Sequence, residues 1–185
     1  MYLVLVIIGV SAIYAAAYNE SHPSIFDMSQ HYGKQALFLG VSLFLGLAIM
    51  LIDAKFFNTF AYVIYGLSIF SLLYVLVAGS TIAGSKSWIQ FGGFSFQPSE
   101  FAKFGTALAV AHYLGHINTD FSKLKTQMIA YAMVLFPMML VLMQGDTGSS
   151  LVFLVFILVF YREGMSGNIL LLGLAAVTLF LLTLY

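Results

Sequence analysis

No cysteine occurs in the 185 residues, which excludes disulfides, thiolate metal sites and a thiol nucleophile. Charge is nearly as scarce. Seven Lys and Arg stand against seven Asp and Glu, 8% of the chain, where a soluble globule carries roughly a quarter. The formal net charge of zero offers no basic field, so nucleic acid is excluded as a partner. The basic start of a cleavable leader is also missing: the first apolar block, 2–17, follows Met1 directly. Ala15-Ala16-Ala17 has the small residues of a cleavage site, but without that basic start the block reads as a span. There is no low-complexity linker, no internal repeat and no polar stretch long enough for a soluble domain.

What is present is apolar. Hydrophobic residues make up 62% of the chain and the mean hydropathy is +1.01. Seven blocks, 2–17, 36–52, 60–78, 101–114, 128–143, 147–161 and 169–185, predict an all-α, polytopic transmembrane bundle in one membrane domain, 1–185. Helices are required because hydrocarbon tolerates no unpaired backbone, and continuous apolar runs are unlike the alternating strands of a barrel. Blocks 101–114 and 147–161 are short for a span. Extending each into the polar residues before it places those residues at the membrane boundary, where ionisable groups are costly and functional by default. Loops 79–97 and 144–150 are separated by two spans, so both face one side. With a cytoplasmic N-terminus, inner loops hold Lys55, Lys123, Lys125 and Arg162, and outer loops hold Lys34 and Lys86. The positive-inside rule then puts both loops outside.

The first polar constellation runs from Trp88 to Lys103. Gly92-Gly93 between alternating stretches suggests a small hairpin at the interface, with Trp88 as an interfacial anchor. Pro98 suits a first helical position, and Glu100 meets the positive end of the helix dipole. Lys103 lies three residues on and can pair with Glu100; removing one partner of a partly buried pair is expected to cost about 3–5 kcal/mol. The bland alternative is a pair that only neutralises two charges at a helix entrance. The second constellation is Gln144-Gly145-Asp146-Thr147-Gly148-Ser149-Ser150. Its bland alternative is an N-cap at Asp146 or Thr147, with small residues for close packing. A single Asp-Thr-Gly cannot form an aspartic-protease dyad, which needs two carboxylates. His112 and His116 lack a third ligand and read as a membrane-edge face, and Pro137 reads as a helix kink.

Together the two constellations resemble the SEDS family of RodA, FtsW and SpoVE. That pattern has Trp-Ile or Trp-Leu, a Gly, then Gln-Pro-Ser-Glu with Lys three residues on; here it is Trp88-Ile89, Gly92, Gln97-Pro98-Ser99-Glu100 and Lys103. The second family pattern is Gln-Pro-Asp-Leu-Gly-Thr or Ser. Here Gly145 replaces the Pro and Thr147 the Leu, while Asp146 and Gly148 hold, so a looser turn before Asp146 is expected. Asn19-Glu20 and Gly84-Ser85-Lys86-Ser87-Trp88 look nearer to RodA than to FtsW.

The resemblance implies a peptidoglycan glycosyltransferase that polymerises lipid II at the outer face of the bacterial cytoplasmic membrane, in cell-wall elongation and cell-shape control. Family members are expected to have about ten spans of about twenty residues, so this chain is expected to be an N-terminal portion ending in the seventh. The family's proposed catalytic Asp lies in an external loop after that span, beyond residue 185. Gln97, Ser99, Glu100, Lys103, Asp146 and Trp88 are expected to line the site, with Gly92, Pro98 and Gly148 shaping it. Asp146 is a candidate ligand for Mg or Mn on the pyrophosphate. Implied partners are lipid II, a class B penicillin-binding protein transpeptidase, other elongation-complex membrane proteins and membrane lipids. Two alternatives stand beside the enzyme: a lipid II transporter, which needs polar groups at several depths, and a non-catalytic scaffold.

Overall fold

Each of the seven apolar blocks is helical in the computed structural model, which describes residues 2–17, 31–82, 84–91, 94–115 and 120–184. The Gly92-Gly93 turn, Asn19-Glu20 and His116 lie outside the described residues. The described helices 32–50, 54–78 and 124–143 are long and apolar enough to cross a membrane, with shorter apolar helices at 4–17, 147–162 and 167–176. The chain is a multi-pass membrane protein.

Two compact units are present, Met1–Ala54 and Lys55–Tyr185. In the first, α1 (Tyr2–Ala17) packs on α2 (His31–Met50). Tyr14 meets the buried Tyr32 edge-on at 5.3 Å. Ser11 and Ser42 turn their hydroxyls back onto Ile7 O and Leu39 O, at 2.8 and 2.9 Å, which spares each a bare polar group in an apolar helix.

The second unit begins with α3 (Ala54–Ala78) and a three-stranded antiparallel sheet, β1 (Ser80–Ile82), β2 (Ser85–Phe91) and β3 (Phe94–Phe96). Then come α4 (Pro98–Leu114), α5 (Leu124–Met143), α6 (Thr147–Val152), a 3₁₀ turn (Phe153–Val155), α7 (Phe156–Arg162) and α8 (Gly167–Leu184). The expected hairpin is β2–β3, with Phe91 opposite Phe94. Strand β1 was not expected; it joins through Gly84, whose φ of 87° suits a residue without Cβ. The fourth block gains a polar first turn as expected, whereas the sixth starts at Thr147 and is broken by the 3₁₀ turn.

Small residues set the packing of α4. Ser99, Ala102, Gly105, Thr106 and Ala109 are buried on one stripe. A Cβ on Gly105 would lie 2.5 Å from Ser68 Oγ and 3.3 Å from Tyr65 Cα, so this glycine lets α4 approach α3. Pro137 lies inside α5 and has no N–H for the carbonyl of Met133. Tyr65 Oη of α3 donates to that carbonyl at 3.0 Å, satisfying the acceptor the proline frees.

Two helices end on glycines in the left-handed region. Gly145 (φ 78°) closes α5: its N–H reaches Leu142 O at 2.9 Å, and Asp146 N–H reaches Val141 O at 3.3 Å. Gly164 (φ 112°) closes α7 in the same way, through Tyr161 O at 3.2 Å and Met165 N–H to Phe160 O at 3.0 Å. Both are Schellman motifs. The second has the usual apolar seal, with Phe160 and Met165 both buried. Phe121 stacks on Phe160 at 5.7 Å and Tyr131 meets it edge-on at 5.2 Å, closing the core away from the sheet.

Candidate functional site

The candidate residues gather where the sheet meets the start of α4 and the turn between α5 and α6. Gln97 ends the extended segment and is the N-cap residue of α4, with Pro98 at the first helical position. Its Nε2 donates to Asp146 Oδ2 at 2.7 Å. Asp146 caps α6 in turn, Oδ1 accepting the Ser149 N–H at 3.0 Å. The two loop motifs therefore meet at one end of the bundle, consistent with the one side that span parity assigns them.

Glu100 and Lys103 stand on the first two turns of α4, Nζ to Oε1 at 2.8 Å. The Lys103 and Glu100 side chains are 23% and 58% accessible. The pair expected from sequence is present as an i,i+3 pair, with Lys103 partly buried and Glu100 accessible. With Glu100 accessible, its removal strands less charge than in a fully desolvated pair, for which several kcal/mol would apply. Ser99 is fully buried, its Oγ without a hydrogen-bond partner, on a different face from Glu100. Trp88 is partly buried on β2, opposite Ser80 beside a break in register. Gly148 is accessible in the first turn of α6, and Gly92 is outside the described residues.

Two side chains with no role expected from sequence hold this corner together. Gln144 is 3% exposed; its Nε2 donates to Leu72 O of α3 at 3.0 Å, and its Oε1 has no partner. Lys86 donates its main-chain N–H to Gln144 O at 2.9 Å, and its Nζ to Leu76 O and Val77 O at 3.1 and 3.0 Å. The sequence signals were a lone amide ending an apolar helix before a glycine, and a lysine shortly after a helix end.

Both oxygens of Asp146 accept protein hydrogen bonds. Among the described residues no three of His, Cys, Asp and Glu gather in one place. Asp146 fits a divalent cation as a single ligand at most, through the lone pairs its two hydrogen bonds leave.

The whole chain, residues 1–185, matches the family model for FtsW, RodA and SpoVE, described as cell cycle protein. The chain belongs to the FtsW/RodA/SpoVE family. The peptidoglycan glycosyltransferase RodA of Treponema pallidum is 35% identical over 158 residues, 85% of this chain and 35% of that protein. The rod shape determining protein RodA of Thermus thermophilus, solved as a mutant, superposes with a TM-score of 0.81 at 28% identity. That match covers 96% of this chain and 56% of the solved one. A chain from a structure titled "Structural coordination of polymerization and crosslinking by a peptidoglycan synthase complex" matches at TM-score 0.72 and 31% identity, over 96% and 52%. The chain thus spans from about a third to somewhat more than a half of the lengths of these relatives.

Within the FtsW/RodA/SpoVE frame, the glycine in place of the family proline has a local consequence. Proline could neither take a φ of 78° nor donate to Leu142 O, so here the turn before Asp146 is a fully bonded Schellman cap. The looser turn expected from sequence is not found.

Proposed function

We propose that this chain is part of a RodA-type peptidoglycan glycosyltransferase, which polymerises lipid II at the outer face of the bacterial cytoplasmic membrane during cell-wall elongation. The observation that carries this reading is the Gln97–Asp146 bond, which joins the two family motifs at one end of the bundle. A lipid-anchored donor presents its pyrophosphate at the membrane boundary. Transfer needs a base for the acceptor hydroxyl and positive charge for the departing pyrophosphate. Lys103 supplies the charge, held by Glu100 near the entrance of α4. Gln97 and Asp146 fix the wall beside it. The base comes from the family's external loop after the seventh span. Asp146 would hold a Mg or Mn ion, which would supply positive charge for the pyrophosphate. A class B penicillin-binding protein is the natural partner, because the matched assembly is titled for polymerisation with crosslinking.

The transporter alternative requires polar groups at several depths. Among the described residues, Asp, Glu, Lys and Arg lie near helix ends or in loops, and the buried mid-helix polar groups of α3 and α4 are the hydroxyls of Ser68 and Thr106. That distribution favours the enzyme.

Purified full-length protein should convert lipid II into glycan strands, and in intact cells single cysteines at Ser85 and Ser149 should react with an impermeant thiol reagent while one at Ser122 should not. Transbilayer movement of lipid II without polymer would replace the enzyme with the transporter, and labelling only at Ser122 would put the site on the cytoplasmic side.

A further inference from the structure

The last turn of a helix leaves carbonyls without partners, and the end of α3 shows how they are used. Val75 O takes the Gly79 N–H at 2.8 Å. The next two carbonyls, Leu76 O and Val77 O, both receive the Lys86 ammonium, at 3.1 and 3.0 Å. A cation there also meets the negative end of the helix dipole. Lys86 is therefore engaged with α3 rather than presented to an anionic substrate.

The same residue grips the opposite element through its backbone. Its N–H holds Gln144 O at 2.9 Å, immediately before Gly145 reverses the chain toward Asp146. Gln144 fastens the turn a second time, through Nε2 to Leu72 O at 3.0 Å. A side chain on Gly145 would lie 3.7 Å from Gly84 O and 3.9 Å from Ser85 Cα, so turn and strand run close together. From the far end of the sheet, Gln97 holds Asp146 Oδ2 at 2.7 Å. Sheet and turn thus close a ring: Lys86 at the start of β2, Gln144 to Asp146 along the turn, and Gln97 just after β3.

The geometry points to Lys86 as a positioning residue for the proposed polymerase site, anchoring the sheet on α3 so that Gln144 and Gly145 hold the Asp146 carboxylate against Gln97. This rests on the reading of Gln97 and Asp146 as part of that site. Lys86 touches no substrate in this role. Its ammonium fixes one side of a ring whose other side carries the functional carboxylate.

The test compares Lys86→Met and Lys86→Arg in the full-length protein, by hydrogen–deuterium exchange and by lipid II polymerisation. Arg keeps the charge and can donate to two carbonyls. Lys86→Met should speed exchange over residues 144–150 as well as at the end of α3. It should lower kcat roughly tenfold or more, the scale of a misplaced site group, with KM for lipid II changed less than about twofold. Lys86→Arg should restore both. Faster exchange confined to residues 72–79, or an unchanged kcat, overturns the proposal and leaves Lys86 as a helix cap alone. Asp146→Asn in parallel separates the two levels: a wild-type rate there removes the site reading itself, whatever Lys86 does to exchange. A loss with Asp146→Asn beside an indifferent Lys86→Met removes only the positioning role.

Discussion

Replacing Tyr65 with phenylalanine removes a single oxygen, yet the structure assigns it a cost that depends on a proline in another helix. Pro137 frees the Met133 carbonyl in the middle of α5, and Tyr65 Oη satisfies it at 3.0 Å. A phenyl ring at this position would leave that acceptor bare in an apolar surround. An unsatisfied buried acceptor costs about 1–3 kcal/mol. Side-chain hydrogen bonds between membrane helices average nearer to about 0.6 kcal/mol, with a maximum of about 1.7. Tyr65→Phe should therefore destabilise the full-length protein by about 1–1.5 kcal/mol. Pro137→Ala restores an N–H that can bond Met133 O within the helix. In that background Tyr65→Phe should cost less than about 0.5 kcal/mol, giving a coupling of about 1 kcal/mol. Reversible unfolding of the four proteins in mixed detergent measures the cycle. Equal costs of Tyr65→Phe in both backgrounds would refute the assignment of the hydroxyl to the proline's orphaned carbonyl.

Installing the family proline at Gly145 should destabilise this chain by about 3 kcal/mol or more, because φ is wrong and the bond to Leu142 O is lost; Gly145→Ala should cost about 1–2 kcal/mol in the same unfolding assay. Glu100→Gln and Lys103→Met should each change stability by less than about 1 kcal/mol, since Glu100 is accessible and Lys103 is only partly buried. Any large loss of lipid II polymerisation in Lys103→Met is then chemical, and a destabilisation of several kcal/mol would show a buried pair instead. Asp120, in the loop between α4 and α5, accepts from Ser122 Oγ and N–H at 2.7 and 3.0 Å. Those bonds hold its carboxyl below the usual carboxylate range. A lowered folded pKa gives a contribution that is present above the unfolded value and lost as pH falls through the folded one. The Ser122 amide resonance should titrate with a midpoint below that of a free aspartate, and an ordinary midpoint would show the turn to be open.

The helices were legible because long apolar blocks admit one solution in hydrocarbon, and Pro98 and Asp146 mark their starts in residue chemistry that is local. That the two motifs share one side was legible from span parity, whereas their contact through Gln97 and Asp146 was not. Sequence could not show which face of α4 carries which group, so Ser99 was grouped with Glu100 although the packing of small residues buries it. Nor could it show that Lys86 is spent on α3 or that Tyr65 answers Pro137, since both bonds join separate helices or strands. The turn at Gly145 was misjudged for a related reason. Replacing proline by glycine reads as a gain of freedom, whereas the left-handed φ and two backbone bonds make glycine the residue that closes the cap.

The central claim is that the junction of the two motifs serves lipid II polymerisation, and a double-mutant cycle on Gln97 and Asp146 in the full-length enzyme tests it most directly. With folded Gln97→Leu, Asp146→Ala and double variants, initial rates of glycan synthesis from purified lipid II should each fall roughly tenfold or more, and the losses should not multiply, because both singles break one bond. Wild-type rates in both single variants would contradict the account and return the Gln97–Asp146 bond to a helix-capping role.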